Sequence, residues 1–516
     1  MTSATLEQQF RRYGPAYRWL VTLAGMIGAM TMVLSATMVN VAVPSIMGAF
    51  GVGQDMAQWA ATAFIATMVA SQLLNAWMVA AFGQRLAYTL TLVIFTAGSL
   101  ICIISPTIEV LIVGRIMQGF AAGIIQPLVM ATIISVFPTE RRGLAMGLYG
   151  MGVTLAPSFG PLVGGLTIDA LTWRHIFITP LPLVAIAFVM GWVFMPSKKF
   201  SRRLPDFDWT GYVLVGTALV CLMTGIGNGQ RWGWGSDGIL ALFTIGFIAA
   251  GGFIYWQAHA KAPLLDLSLF RNPHFAAAMI IAFAFGAGNF ATNYAIPVFT
   301  QTVQGFTPTK AGLVLVPAGL LLVTMIPFSG RLADRVPPHL PIMTGVAFFA
   351  FAAYLLSNSD VNTPFLMIAM FAVLSRFGLG LVMPNMGAAA MRTVSNEKLN
   401  QAAGAYNFTR QLGGAFGVNC VVAISEYRTA FHADALTATQ TADNVLSMEL
   451  LGKVEELLAE SGIPEAAQQS GALNYLGTVI HAQATTFGFQ DAFLVICLVF
   501  IATLVPAWML RRTRAE

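Results

Sequence analysis

The stretch SGRLADRVPPHL, residues 329–340, is a short charged segment between two apolar runs, each long enough to form a membrane helix. A degraded copy of this element, NAWMVAAFGQRL, spans residues 75–86 and also lies between two apolar runs. Alanines occupy the positions in this N-terminal copy that correspond to Gly330, Asp334 and Arg335 in the C-terminal copy. The repeated element indicates that the chain consists of two related halves.

The composition is that of a membrane protein. Of 516 residues, 57% are hydrophobic and only 9% are charged, whereas a soluble chain carries about 25% charged residues. Apolar runs of roughly 20 residues recur from Tyr17 almost to the C-terminus, and each could cross a hydrocarbon layer of about 30 Å as a helix. The first run is too long for a cleaved signal peptide. We therefore predict an all-α polytopic membrane protein that retains its first span.

Cysteine, histidine and charge patterns exclude other classes of protein. The four cysteines lie inside apolar runs, and the six histidines are scattered without metal-ligand spacing. We expect no enzyme activity, no metal and no cofactor, because no nucleophile and base are paired in the sequence. The basic residues lie in short loops between apolar runs rather than on one face, which argues against nucleic-acid binding despite a pI near 9.1.

Apolar runs between charged or Pro/Gly breaks predict fourteen spans, and twelve is the main alternative. The predicted spans are 17–47, 56–80, 86–105, 108–136, 143–169, 174–195, 209–228, 237–258, 275–300, 309–332, 340–358, 363–390, 400–426 and 489–510.

The distribution of basic residues predicts the orientation. If both termini share one side, 19 of the 27 Lys and Arg residues lie on that side, five lie on the other and three lie inside spans. The positive-inside rule then makes both termini cytoplasmic. We expect a multi-pass protein of the cytoplasmic (inner) membrane, with the lipid bilayer as its surroundings.

One predicted loop is exceptionally long. It covers about 427–488 on the outer face and contains the amphipathic stretch NVLSMELLGKVEELLAE, residues 444–460. Two interpretations stay open: an interfacial helix that caps the outer mouth, or a docking surface for a partner outside the cytoplasm.

Four motifs carry a family resemblance. The segment 329–340 is similar to the major facilitator loop signature G-x-L-A-D-R-x-G, with Pro337 at the last Gly position. GRIMQGFAAG resembles the R-x-x-Q-G motif of the fourth span, and APSFGPLVGG resembles the antiporter signature of drug exporters. LSATMVNVAVP, residues 34–44, resembles a first-span motif of the same antiporters. The resemblance implies gating motifs at Gly330, Asp334, Arg335, Pro157, Gly160, Pro161, Gly164 and Gly165.

Nearly the whole chain resembles the EmrB/QacA-type drug:proton antiporters of the major facilitator superfamily, which have fourteen spans. Further matching stretches are FDWTGYVLVGTAL, PLLDLSLFRNPHF and NFTRQLGGAFG. The resemblance implies an N-terminal six-helix bundle in 1–195, a linker with two inserted transmembrane helices in 196–272, and a C-terminal six-helix bundle in 273–516. A substrate site near the midplane, alternately open to each side, follows from this fold.

The first-span motif differs from the family pattern at its carboxylate. Ser35 occupies the Asp position to which the family assigns proton coupling, and a serine hydroxyl does not titrate in the physiological range. None of the 22 acidic residues lies near a span centre. The nearest lie at outer span ends, where we expect helix-terminal charges: Asp55, Glu109, Asp169 and Glu426.

Three arginines lie within predicted spans: Arg115, Arg376 and Arg410. A buried guanidinium costs about 2.5–3.5 kcal/mol in a membrane helix. Arg115 either has a coupling or substrate role or bridges backbone carbonyls between helices. Arginines without a midplane carboxylate favour an anionic substrate. The candidate substrate-binding or coupling residues are Ser35, Arg115, Gln118, Gln126, Asn289, Asn293, Tyr294, Asn385, Asn407 and Arg410.

The predicted function is secondary-active efflux of small amphipathic compounds, including multidrug export, by alternating access with proton coupling. The alternatives are a facilitative or uptake permease for an organic anion and a lipid or fatty-acid exporter. In a cell with two membranes, the resemblance implies assembly with a periplasmic adaptor and an outer-membrane channel, with the contact near 427–488.

Overall fold

The computed structural model describes residues 9–138, 142–197, 206–260, 263–394, 398–441 and 443–512. Within these ranges the chain is helical and contains no β-strand. A helix satisfies its own backbone N–H and C=O groups, which the hydrocarbon core of a membrane cannot do. The apolar composition therefore dictates helices wherever the chain crosses lipid.

The first half and the two inserted helices comprise α1 (Tyr17–Phe50), α2 (Gln54–Ala57), α3 (Trp59–Gln72), α4 (Asn75–Ile104), α5 (Ile108–Val136), α6 (Arg142–Ala170), α7 (Leu181–Phe194), α8 (Trp209–Trp232) and α9 (Asp237–His259). The second half comprises α10 (Pro273–Thr302), α11 (Pro308–Leu313), α12 (Val316–Arg335), α13 (His339–Leu356), α14 (Phe365–Arg392), α15 (Leu399–Ala438), α16 (Val445–Glu460) and α17 (Glu465–Met509).

Eleven helices in the described ranges are long and apolar enough to cross a membrane. The other three predicted spans are also helical: α3 with the start of α4, α6, and α15. They are interrupted or carry more small and polar residues. The fourteen-span count is compatible with this arrangement and stays a prediction.

Gly83 forms the turn between the second and third predicted spans. Its φ of +78° interrupts α4 with a left-handed backbone conformation that glycine adopts without steric cost. Two residues later, Arg85 donates from Nε to the carbonyl oxygen of Met195, just beyond α7, at 2.9 Å. The N-terminal copy of the repeated element is thereby anchored on α7, although it lacks the Asp and Arg of the C-terminal copy.

The helices pack as two groups with an inserted pair beside them. The N-terminal group is α1–α7, and the C-terminal group is α10–α15 with α17. Small residues allow close packing within each group: a side chain at Gly345 in α13 would collide with the backbone of Gly378 in α14. The inserted helices α8 and α9 pack on each other, and α8 also contacts α3 and α15.

Helices α1 and α10 run in the same direction. Asn40, 23 residues after the start of α1, donates to the carbonyl oxygen of Asn293, 20 residues after the start of α10. The turn Leu510–Arg512 after α17 contacts α10. We call the face where α1 begins and α17 ends the terminal face, and the opposite one the distal face.

Helices extend far beyond the predicted spans at the distal face. We expected spans 400–426 and 489–510 joined by a long loop, whereas α15 continues to Ala438 and α17 begins at Glu465. Polar residues end a membrane span because they disfavour lipid, but they do not end a helix in water. The amphipathic stretch 444–460 is confirmed as helical in α16, although two of its apolar residues, Val445 and Met448, are exposed.

Candidate functional site

A cavity of about 120 Å³ lies between the two helix groups, and a smaller one of about 50 Å³ adjoins it. Polar side chains from both groups meet apolar ones there, as expected for a ligand site. The larger cavity is lined by Val33, Gln126, Pro157, Phe285, Asn289, Phe290, Asn293, Leu322, Arg376, Met383, Arg410 and Gln411.

Arg376 projects from the middle of α14 into this cavity and is only 4% exposed. Its Nη2 donates to Oδ1 of Asn293 at 2.9 Å, and its Nη1 donates to Oγ1 of Thr292 at 3.4 Å. Both acceptors are neutral groups on α10. No carboxylate is among the described partners of the guanidinium, so its positive charge has no counter-charge there.

Arg410 enters the same cavity from α15. Its Nη2 donates a long hydrogen bond of 3.5 Å to Oδ1 of Asn407, one helical turn earlier. Its Nε is buried and has no hydrogen-bond partner among the described residues, and neither has Oε1 of the neighbouring Gln411. A buried donor without an acceptor costs free energy, so an acceptor group placed beside Arg410 Nε would find an unused donor.

Four predicted site residues line the cavity, and a fifth contacts it. Gln126, Asn289, Asn293 and Arg410 are lining residues, and Asn407 accepts from Arg410. Asn289 also accepts from Nδ2 of Asn293 at 3.4 Å. The sequence therefore identified four of the six polar lining residues, on α5, α10 and α15.

Arg115 and Gln118 are placed elsewhere, inside the N-terminal group. Arg115 is fully buried; its Nε donates to the carbonyl oxygen of Ala60 at 2.6 Å, and its Nη1 donates to Oε1 of Gln118 at 2.7 Å. Gln118 in turn donates to Oγ of Ser99 at 2.7 Å. The ring of Phe64 lies 4.3 Å from the Arg115 guanidinium carbon. These contacts favour the interpretation in which this arginine bridges neighbouring helices.

Ser35 lies on the side of α1 that faces away from the cavity. The lining residues of α1 are Met32, Val33, Ala36 and Thr37. Successive residues rotate by about 100° around a helix, so Ser35 lies roughly 130° from the mean direction of these four. Ser35 is 1% exposed, and its hydroxyl has no hydrogen-bond partner among the described residues.

Two further predicted residues are buried outside the cavity lining. Tyr294 is 1% exposed and lies within reach of Gln54 in α2 and Glu426 in α15, near the distal face. Asn385 donates to Oγ of Ser329 at 2.9 Å, inside the C-terminal group.

The predicted gating motif of α6 contacts both helix groups. Pro157 lines the cavity, and Gly164 packs on the backbone of α1 at Met38. A side chain at Gly165 would meet Cα of Thr309 at 2.6 Å, so α6 and α11 touch backbone to backbone. Two further motif residues make similar contacts: Gly160 faces Thr37, and Pro161 faces Gly312.

In the other predicted gating motif, Gly330 has no atom within 4 Å of the place where a side chain would begin. The side chains of Asp334 and Arg335 lie outside the described residues.

Three hydrogen bonds that join the two helix groups lie toward the distal face, all between described residues. The Asn40 side chain donates to the Asn293 carbonyl oxygen at 3.2 Å. The other two are Thr62 Oγ1 to Asn419 Oδ1 at 3.5 Å and Thr309 N–H to Asp169 Oδ2 at 3.0 Å. We call these bonds, with the Gly165–Thr309 contact, the distal seal. These contacts close the distal side of the cavity.

Sequence reasoning missed several lining residues. Arg376 was recognised as an intramembrane cation but was not included among the candidate site residues, because nothing in its segment distinguishes a packed arginine from one facing a cavity. Gln411 follows Arg410 in the segment NFTRQ, residues 407–411. This adjacency is the sequence signal that could have identified Gln411 as a lining residue. The apolar lining residues Phe285, Phe290, Leu322 and Met383 resemble every other membrane residue in sequence.

Comparisons with known proteins agree with these features. The family model of the Major Facilitator Superfamily matches residues 25–418. The multidrug export protein EmrB of Haemophilus influenzae is 24% identical over 494 residues, covering 95% of each chain. The fatty acid resistance protein FarB of Neisseria gonorrhoeae is 28% identical over 503 residues, covering 96% of each chain.

A solved structure shares the fold. It is an inward-facing, occupied bacterial homologue of the human lysosomal transporter Spinster, with a TM-score of 0.63, 15% identity, and coverage of 97% of this chain and 98% of that one. The resemblance to EmrB-type drug exporters inferred from the motifs is confirmed by the family match and the named relatives. The chain therefore belongs to the Major Facilitator Superfamily and is a multi-pass membrane transporter rather than an enzyme.

Proposed function

We propose that this transporter is a secondary-active exporter of small amphipathic compounds in the cytoplasmic membrane. The division into bundles 1–195 and 273–516, joined by the inserted helices of 196–272, fits the two helix groups and the cavity between them. Both termini, and hence the terminal face, are cytoplasmic in this proposal. With the distal seal closed, substrate reaches the cavity from the cytoplasm, and export requires the seal to open.

The observation that carries the substrate class is the convergence of Arg376 and Arg410 on one cavity with no described carboxylate in its lining. A guanidinium binds a carboxylate through charge-assisted hydrogen bonds, about twice as strong as neutral ones. Phenylalanine, leucine and methionine side chains of the lining would hold an apolar tail. We therefore propose an anionic amphiphile as substrate. The names of the relatives, a multidrug exporter and a fatty acid resistance protein, support an amphipathic compound.

Proton coupling cannot use residue 35, so we assign it to the distal carboxylates Asp55 and Glu426. The backbone N–H of Asp55 in α2 lies within hydrogen-bonding reach of the Glu426 carboxylate in α15, and the two carboxylates interact electrostatically. Arg231 Nε lies 4.0 Å from Asp55. Two adjacent carboxylates disfavour full ionisation, so one proton would be held while the helix groups meet there.

A partner outside the cytoplasm belongs to the same proposal. In a cell with two membranes, the distal extensions of α15 and α17 with α16 would contact a periplasmic adaptor leading to an outer-membrane channel. Copurification of an adaptor that persists after deletion of residues 440–470 would contradict this role.

The test is transport in proteoliposomes with laurate, dodecyltrimethylammonium and dodecanol as anionic, cationic and neutral probes of equal chain length. We expect laurate to be transported against its gradient when a pH gradient is imposed. Laurate that equilibrates at the same rate without a pH gradient would instead indicate the facilitative anion permease. Transport of the cation but not of laurate would contradict the proposed substrate class.

A further inference from the structure

We infer that Asn293 couples anion binding in the cavity to opening of the distal seal, with Arg376 and Asn40 as its two partners. This inference rests on the proposed anionic substrate. It assigns Asn293 and Asn40 as positioning residues, which act through neighbouring residues rather than by binding the substrate.

Asn293 contacts the cavity and the seal with different atoms. Its side-chain Oδ1 accepts from Arg376, at 2.9 Å, on the cavity side. Its backbone oxygen accepts from the Asn40 side chain, at 3.2 Å, across the two helix groups. Asn293 and Asn40 are each 6% exposed and Arg376 is 4% exposed, so little water is available to replace either bond.

A proline makes the Asn293 carbonyl available. In an α-helix the carbonyl of residue 293 would accept from the N–H of residue 297, but Pro297 has no N–H and lies inside α10. The freed carbonyl needs another donor within the membrane. The Asn40 side chain supplies this donor, so the seal uses a backbone group that the helix itself leaves unpaired.

Asn40 occupies the corresponding place in the first half. The segments NVAVP, residues 40–44, and NYAIP, residues 293–297, share the pattern N-x-A-x-P, and Pro44 lies inside α1 as Pro297 lies inside α10. The two asparagines thus meet at related kink points of related helices. Of the two, only Asn293 also has an arginine partner among the described residues. The two positions correspond in sequence, but Asn40 donates its side chain while Asn293 accepts with its backbone oxygen.

An anion changes this arrangement through Arg376. A carboxylate is a stronger acceptor for a guanidinium than the neutral Asn293 amide, and Arg410 offers it a second donor in Nε. Binding therefore draws Arg376 from Asn293. The α10 segment before Pro297 lacks one helical bond and loses its hold on α14, so it is free to turn its carbonyl away from Asn40. A ligand shifts a conformational equilibrium only through such differential contacts.

The test measures the distal distance and laurate binding separately. Spin labels at L171C and V361C, both exposed positions on the distal side of the two groups, report the opening in liposomes. The four native cysteines are replaced by alanine in a chain that retains transport. In this background we expect laurate to increase the open population roughly fivefold or more.

Three variants test separately the Asn293–Arg376 contact and the Asn293–Asn40 contact. N293A removes the Arg376 acceptor but keeps the backbone carbonyl, so we expect its open population to be raised already without laurate and not to increase further when laurate binds. N40A removes the seal donor, so the open population should rise roughly fivefold without laurate. N228A is the matched control, because Asn228 is also a buried asparagine but lies on α8 outside the cavity lining, where its side chain donates to the carbonyl oxygen of Thr224. It should behave as the native chain.

Opening of N293A by laurate to the native extent would overturn the inference, as would an N40A chain no more open at rest than N228A. Laurate that is bound and transported by the native chain without any distal opening would also overturn it, while leaving the proposed function intact. Failure of the native chain to bind laurate would instead remove the proposed substrate class.

Discussion

Arg115 and Arg410 are the same residue type in predicted spans of opposite halves, yet their surroundings differ. Arg115 bonds a backbone carbonyl and a glutamine, and an aromatic ring covers it, inside one helix group. Arg410 has one long bond to a neighbour on its own helix and a buried Nε without a partner, at the cavity between the groups. Each guanidinium has one buried nitrogen without a partner among the described residues, Nη2 of Arg115 and Nε of Arg410, but only that of Arg410 lies at the cavity between the groups.

The comparison shows two ways in which a membrane protein accommodates a charged side chain inside its spans. A charge in a membrane helix must be compensated by partners. At Arg115 the protein itself supplies partners for Nε and Nη1, so changing them changes the folded state. At Arg410 the compensation is incomplete in the described structure, so a substrate can contribute to it. Substitutions at charged residues in four different environments should therefore differ in kind as well as in size.

The largest expected effect is that of R115A. The substitution leaves the Ala60 carbonyl and the Gln118 amide without their donor and opens a cavity, which should cost about 3 kcal/mol of stability or more. Thermal unfolding in detergent should show a clearly lowered Tm and a low yield of folded protein. The matched control R410A should have a Tm within a few degrees of that of the native chain. An equal loss of stability in R115A and R410A would contradict the comparison.

The next effect is that of R410Q on transport. Glutamine keeps hydrogen-bonding groups but removes the charge, so laurate transport should fall about tenfold or more, equivalent to about 1.4 kcal/mol of binding free energy. Initial rates in proteoliposomes give the measurement, and R410K serves as a charge-conserving control with an intermediate rate. Unchanged laurate transport by R410Q would remove this residue from the site.

A smaller effect is expected for E426Q, which keeps the shape of the side chain but cannot carry a proton. Laurate-induced proton release should fall severalfold, while laurate binding stays within about twofold, because Glu426 is not a cavity residue. S35D in the E426Q background should not restore proton release, since residue 35 faces away from the cavity. Restoration by S35D would place coupling at the first-span position instead.

The smallest effect is expected at Asp266 and Lys398, outside the membrane. Lys398 Nζ donates to Asp266 at 2.8 Å, and this bond holds the pKa of the carboxyl below its usual range. The stabilisation is therefore present at neutral pH and disappears as the pH falls through that lowered pKa. Lys398 is 43% exposed, so D266N should lower stability by less than about 1 kcal/mol. Unfolding at pH 7 and at pH 3 should show the difference from the native chain shrinking in acid.

Most of the fold was predictable from local sequence. Apolar runs gave helices because lipid leaves the backbone no alternative, and the repeated element at 75–86 and 329–340 indicated two related halves. The predicted spans 400–426 and 489–510 are shorter than α15 and α17. Hydropathy indicates where a chain leaves lipid, whereas a polar helix continues in water. The true helices run to Ala438 and from Glu465.

The candidate site was predictable only in part. Gln126, Asn289, Asn293 and Arg410 were identified because polar groups are expensive in membrane helices and therefore stand out. Their neighbours Phe285 and Met383 do not stand out, since apolar residues face lipid, core and cavity alike. Periodicity could not tell which arginine faces the cavity, because the direction of a helix face depends on the helices around it.

The sequence by itself determined that this protein is a helical membrane transporter of the Major Facilitator Superfamily, that Ser35 cannot carry a proton, and that three arginines lie in its predicted spans. These properties depend on composition, local motifs and the chemistry of single side chains. The tertiary structure decided that Arg115 is packed while Arg376 and Arg410 meet in one cavity, and that Asn40 binds the carbonyl freed by Pro297. The physical reason is that these pairings join residues up to about 250 positions apart, and only the packing of the two helix groups sets their distance.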